Sequence, residues 1–393
     1  MEQLDAKLEI KDIYAREIFD AWGNMAVETE VLAGEGIVGR ASVSSLPSAG
    51  KETGKTVEDI NSCIAQELVG KNVFEQEEID RILTGLDGSE ELNALGTDAL
   101  FSVSAAVAST AAAALKVPLY RYLGGVHTKC MPAPAANVTD ETEGMGAYMI
   151  VPSEQMTFRG QMDVCTNVYR AVRKILHGRK NPGAPGVRET FGMIEAAVER
   201  AGYRMGSDVM IAWDAAGAYR YAPDRHGYYI REETGELREI KSSGEMCEYY
   251  ASLIEEYSIC SLEDPLASED WEGWVQISRQ LGGRIQLIGN RLFGTDRRRL
   301  ERGIELGTAN AILIRPDQAG TLTRAADLIK TAQEAGYRVA IKPHEAGTAD
   351  TLSADLAVAF RVGQMEAGAP CHMENMEKYN RLLRIEERLG ESG

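Results

Sequence analysis

The chain has 393 residues, 44% apolar and 26% charged, and its 60 acids against 42 bases give a formal net charge of −18. That length fits one very large domain or two ordinary ones. The acid excess argues against a nucleic-acid or anionic-membrane partner, because both need a concentrated basic face. Six cysteines (Cys63, Cys130, Cys165, Cys247, Cys260, Cys371) are scattered without a Cys-x-x-Cys pair, and the five histidines do not cluster with them. This usage points away from a zinc site or a disulfide framework and toward a reducing, cytoplasmic location. Met1-Glu2-Gln3-Leu4-Asp5 carries charge from the start, unlike a signal peptide. The low-polarity run 99–117 is built from Ala, Ser and Thr, which suits a buried helix better than a membrane span.

Residues 8–43 alternate apolar and polar, as a half-buried antiparallel meander does, with Gly34 and Gly36 as punctuation. A Ser, Pro and Gly-rich loop, 44–54, leads to helical patterning over 57–68 and 76–86. Thr97 or Asp98 can cap the Ala-rich helix and Pro118 ends it. A short helical turn, 119–123, closes on Gly124-Gly125. Strands followed by helices imply a small α+β domain. The Met131-Pro132-Ala133-Pro134-Ala135 segment marks the predicted boundary, giving domains 1–130 and 131–393.

After two predicted helices, 154–177 and 188–201, a series of short apolar runs begins, each ending in a polar residue. Val209-Met210-Ile211-Ala212-Trp213 ends in Asp214, and Ile259-Cys260-Ser261-Leu262 ends in Glu263-Asp264-Pro265. Ile285 to Gly289 ends in Asn290, Ala311 to Ile314 in Arg315, and Val339 to Ile341 in Lys342, Pro343 and His344. From Glu263 onward these ends fall 27, 25 and 27 residues apart, about one βα unit each. The longer interval between Asp214 and Glu263 holds a predicted hairpin, 219–230, and a helix, 243–257. In a closed βα barrel, polar groups at strand C-termini converge on one mouth, where such folds keep their chemistry. One such residue alone would merely begin a loop; five in register point to a site.

Several blocks carry a family resemblance: Pro118-Leu119-Tyr120-Arg121-Tyr122-Leu123-Gly124-Gly125; Leu262-Glu263-Asp264-Pro265 with Asp270-Trp271-Glu272-Gly273-Trp274; and Gln318-Ala319-Gly320-Thr321-Leu322-Thr323. Gly368-Ala369-Pro370-Cys371 and the stretch from Lys378 to Glu387 complete the set. On these blocks the chain resembles enolase, the phosphopyruvate hydratase of glycolysis, over nearly its whole length. The resemblance implies an α/β fold: an α+β N-terminal cap domain followed by an enolase-type βα barrel. It also implies a homodimer or a higher assembly of dimers, and Mg²⁺ as cofactor.

The site residues that the resemblance implies are substituted. The first Mg²⁺ position, normally Asp, Glu and Asp, reads Asp214, Glu263 and Asn290, followed by Arg291 where an acid is usual. Magnesium prefers anionic oxygens, so a weakened or absent Mg²⁺ site is expected. Arg291 has a second reading, in which its guanidinium pairs with Asp214 or Glu263 in place of the metal. Ser45 stands at the position of the second-metal serine loop. Arg315 replaces the general-base Lys, and a guanidinium stays protonated at neutral pH. Glu366 replaces the Lys that neutralises the substrate carboxylate. Arg315 and Glu366 are expected to pair with each other.

The acid loop of the family aligns with residues 177–185, which contain no acid. Its Gln-Glu pair becomes Gly146-Ala147, its loop histidine falls at Val138, and its phosphate-binding segment becomes Lys342-Pro343-His344. These changes remove groups that each supply about 100-fold or more in rate, so poor or absent conversion of 2-phosphoglycerate is expected. The leading expectation is a diverged lyase-type enzyme acting on another small anionic carboxylate or phosphonate. Lys342, Arg315, His344 and Glu366 are its candidate catalytic residues, with Asp214, Glu263, Asn290 and Ser45 as candidate metal ligands. A non-catalytic binding or assembly paralogue, or a working hydratase with compensating groups, are the alternatives.

Overall fold

Period-two alternation makes residues 10–44 a sheet. In the computed structural model, which describes residues 8–45, 52–128, 130–139, 146–178, 185–231 and 237–390, strands β1 (Ile10–Phe19), β2 (Met25–Ala33) and β3 (Ile37–Ser44) pair antiparallel in that order. One face buries Ile13, Ala15, Val27, Val31, Ala41 and Val43. The other carries a cross-strand charge ladder, with Arg16 opposite Glu28 and Glu30 opposite Arg40. Opposite charges facing each other across strands fix register.

The Ala-rich helix Thr97–Ala114 lies on the apolar face. Its small side chains allow close approach, and at Gly39 even a Cβ would collide with the backbone of Thr110. Thr110 Oγ1 donates to the Val31 carbonyl at 3.0 Å. A helix long and apolar enough to span a bilayer is here mostly buried. The predicted helix 57–68 begins earlier, at Thr53, and contains a π-helical turn, Ile60–Ile64.

The second sheet is built from β4 (Ala133–Pro134), β5 (Ala136–Asn137), β6 (Tyr148–Pro152), β7 (Val209–Asp214), β11 (Ile259–Glu263), β12 (Gln286–Gly289), β13 (Ala311–Ile314), β14 (Arg338–Ile341) and β15 (Gln364–Met365). Between β7 and β11, the strands β8 (Tyr221–Ala222), β9 (Gly227–Arg231) and β10 (Leu237–Lys241) form a separate antiparallel sheet; β8 and β9 are the predicted hairpin, and β10 adds a strand that the pattern did not give. The large sheet runs β4-β15-β14-β13-β12-β11-β7-β6-β5. Because β4 and β5 are one continuous segment broken only at Ala135, the order returns to its start and the barrel closes. Strand β6 is antiparallel to both neighbours, and the other pairings are parallel. The strand interiors are short apolar runs buried on both faces, as parallel strands covered by helices require.

Helices pack outside. Those at Phe158–His177, Ser243–Glu256, Trp271–Leu281, Arg297–Leu306 and Leu322–Glu334 each start on a Thr, Ser or Asp whose side chain accepts an amide N–H of the first turn. Thr157 sets the start of the first of these, later than the expected residue 154.

The cap is pinned to the mouth-bearing end of the barrel. Asp80 accepts from the amide and hydroxyl of Thr323 at 2.9 and 2.6 Å. Ser104 Oγ accepts the Leu322 amide at 3.0 Å, and the Ser42 amide donates to Asp350 at 2.9 Å. The last of these polar ties holds the end of β3 against the segment after β14.

Candidate active site

Parallel register brings the polar strand ends to one level: Glu263 lies opposite Asp214 and Ile288, and Ile314 opposite Ile341. Side-chain alternation then turns Asp214, Glu263, Asn290, Arg315, Lys342 and Glu366 toward the inside of the mouth. The sequence-predicted set, apart from Ser45 and His344, therefore lies on one ring. Ser45 Oγ instead donates to Asp98 at 3.1 Å, and no contact among the described residues joins it to Asp214, Glu263 or Asn290. The aligned acid loop lies largely outside the described residues, which omit 179–184 and 140–145.

Glu263 is buried, and its Oε1 accepts the Asn290 side-chain N–H at 2.7 Å while Oε2 has no hydrogen-bond partner. Burial first, then the neighbouring Glu366 carboxylate, raises its pKa well above the usual range, with Lys342 and the Asn290 hydrogen bond pulling the other way. Asp264 has a left-handed φ of 40°, which turns its carboxylate back onto the amides of Asn290 and Arg291 at 3.0 and 2.8 Å. Burial and the nearby Asp214 push its pKa up to about 7. Asp264 thus buttresses the loop after β12, a role that sequence patterning missed although the Glu-Asp-Pro triplet marks the position.

Two expected ion pairs give way to others. Arg291 is exposed; its Nη2 donates to the Tyr219 hydroxyl at 2.6 Å and its guanidinium stacks 4.6 Å from the Tyr219 ring centre. It does not stand in for a metal between Asp214 and Glu263. The backbone amide held by Asp264 points that side chain toward the hairpin side. Arg315 bonds Glu345 through Nη2 and Oε1 at 2.9 Å, rather than Glu366 as its described partner. Glu345 sits on the turn after β14, within reach of the Arg315 guanidinium. Its Oε1 is also 4.0 Å from the Lys342 amine. Burial works to raise the Glu345 pKa, but Lys342 and Arg315 together hold it below the usual value.

Lys342 is buried, as are Glu366 and Asp317. Lys342 and Glu366 follow the register pair Ile341↔Met365 by one residue, so they are neighbours on the inner face. Asp317 is raised by burial, opposed by His344 and Arg315. His344 accepts the Ala346 amide on Nδ1 at 3.2 Å and lines a small cavity of about 60 Å³ between cap and barrel, beside Ser42, Asp317 and Lys378. The imidazole therefore faces the cap junction. Gly146, φ 70°, is demanded by packing: a Cβ there would collide with the Asp214 carbonyl oxygen. This backbone approach leaves no room for a side chain at that position.

Asp214, Glu263 and Asn290 are the residues that would hold magnesium, two carboxylates beside one carboxamide. The Asn290 amide N–H occupies one oxygen of Glu263, and Asp214 Oδ1 already accepts the Ala216 amide at 2.9 Å. Among the described residues no three His, Cys, Asp or Glu side chains group as a metal cradle. What the ring offers is a buried amine, a permanent guanidinium, and a buried carboxyl, Glu263, whose proton is retained to higher pH.

Residues 10–123 match the profile described as Enolase, N-terminal domain, and residues 128–393 match Enolase, C-terminal TIM barrel domain. Family members typically use Mg²⁺. Together the two matches span nearly the whole chain, so this protein belongs to the enolase family.

Proposed function

We propose that this chain is a diverged lyase-type member of the family that has lost the dehydration of 2-phosphoglycerate. It acts instead on another small anionic carboxylate or phosphonate. The observation that carries this reading is the buried Lys342 amine on the same inner ring as Glu263, whose Oε2 is buried and unpartnered. An unsatisfied buried carboxyl oxygen is costly unless a ligand meets it. A carboxyl that keeps its proton can donate to an anionic substrate, and a desolvated amine can take a proton from carbon. In this reading Lys342 is the base, Glu263 and Glu366 supply the acid side, and Arg315, neutralised in part by Glu345, orients the anion.

His344 is assigned a lesser role at the cap junction. Magnesium is weakly held or dispensable. A binding or assembly paralogue is the second reading, supported by the internal pairing of Arg315 with Glu345 and of Asn290 with Glu263. A homodimer is proposed as well; exposed Phe19, Trp22 and Met25 at the β1–β2 turn support it.

The test is deuterium exchange at the α-carbon of a panel of small carboxylates and phosphonates in D₂O, followed by NMR. Exchange with the wild type and its loss in Lys342→Met support the reading. Brisk formation of phosphoenolpyruvate from 2-phosphoglycerate with Mg²⁺, followed by ultraviolet absorbance, would sink it.

A further inference from the structure

The opposite end of the barrel holds a cavity of about 710 Å³, within the range of small-ligand sites. It opens at the N-terminal ends of the strands, far along the axis from Lys342, and is lined by Arg338, Arg361, Glu154, Ser153 and Ser207. The inner layer that lines it carries Ser261, Gln286 and Gln364, polar where aliphatic side chains are usual. Arg338 Nη1 donates to Gln286 Oε1 at 3.5 Å, Gln286 Nε2 to Gln364 Oε1 at 3.2 Å, and Gln364 Nε2 to Glu366 Oε1 at 3.3 Å. Both glutamines are buried, so each spends its amide within this chain of bonds.

Arg338, Ala340 and Lys342 share the inward face of β14, which puts one cation at each end of the axis. Arg361 follows the helix Leu352–Ala359 in a left-handed backbone conformation, φ 54°, rare for a non-glycine residue. On a chain with a formal charge of −18, neither guanidinium has a carboxylate partner among the described residues. Two cations thus face one carboxylate, Glu154, with serine hydroxyls on the wall.

We propose that this cavity is a second ligand site, distinct from the mouth, that takes a small anion bearing carboxylate or phosphate oxygens. Arg338 and Arg361 bind the anion, and Gln286 and Gln364 are positioning residues that hold Arg338 against the axis. The site goes beyond the mouth reading and stands whether or not that reading holds.

Calorimetric titration of the full chain with inorganic phosphate, and separately with malonate, tests it. Saturable heat with at least one anion is expected. The titration is repeated in Arg338→Gln/Arg361→Gln, where the saturable site supplied by this cavity is expected to weaken about tenfold or more while anion binding at the mouth remains. Circular dichroism verifies that each variant is folded, and Arg361→Gln alone, at an exposed position, serves if the double variant is not. No heat with either anion, or titrations that are the same for the wild type and the variant lacking both arginines, would overturn the assignment.

Discussion

Single atoms decide the chemistry of the mouth. Asn290 differs from an aspartate by one amide group, yet that group turns an acceptor into a donor aimed at Glu263. Asn290→Asp should therefore do two things. Without metal it removes the N–H that Glu263 accepts and sets a second buried carboxyl against it, lowering stability by about 1–3 kcal/mol. With Mg²⁺ it should tighten calorimetric binding about tenfold or more, because a third anionic oxygen returns. Unchanged magnesium affinity would show that the amide is not what weakens the site. Arg315 and Glu345 illustrate the same point, since a cation that cannot act as a base is held by an acid that the strand pattern alone did not single out.

At the scale of elements, ion pairs tie helices and strands together with unequal weight. Arg381 grips the buried Asp355 through two bonds, at 2.8 and 2.6 Å, and Asp355 also accepts the Tyr120 amide at 3.1 Å. This joins the C-terminal helix Met373–Gly390, the helix Leu352–Ala359 and the last helical turn of the cap. Asp355→Ala should cost about 3–5 kcal/mol in denaturant unfolding, as removing one partner of a buried pair does.

The cap sheet's ladder is half-exposed and weaker. The hydrogen bond from Arg16, against the cost of burial and aided by Arg40, lowers the Glu30 pKa from 4.5 to about 2. A depressed carboxylate pKa adds stability above 4.5 that is lost as pH falls toward 2. Glu30→Gln should thus flatten the acid limb of the stability curve over that window. The effect should stay below about 1 kcal/mol because the ladder is solvent-screened. Equal acid slopes for the wild type and the variant would contradict this.

Across the whole molecule, the cap and barrel share one apolar core and are joined by polar ties as well. Asp80 is buried at that joint, and burial raises its pKa despite bonds from Ser104, Thr323 and Gln76. Asp80→Leu should loosen the cap, exposing helix Leu322–Glu334 to faster amide exchange while the barrel strands stay protected. Assembly belongs to this scale too. Light scattering should give twice the 42.9 kDa chain mass, and Trp22→Glu with Phe19→Glu should return it to one chain. A monomer in the wild type would remove the proposed dimer.

The order of elements, the βα period and the polar residue closing each strand were legible in the sequence, because short apolar runs that stop abruptly at a polar residue suit buried parallel strands and little else. The identity of Arg315, Glu366 and Asn290 already argued that the ancestral proton acceptor and a metal charge were gone. Strands β4, β5 and β15, only two residues each, left no periodic signal, so barrel closure was visible only in the sheet pairing. Tertiary structure also decided partners: whether a guanidinium meets Tyr219, Glu345 or a distant carboxylate depends on which loops approach, and side-chain type alone does not encode that distance. The unpartnered Glu263 oxygen and the amide chain through the barrel are likewise properties of three-dimensional proximity among residues far apart in the chain.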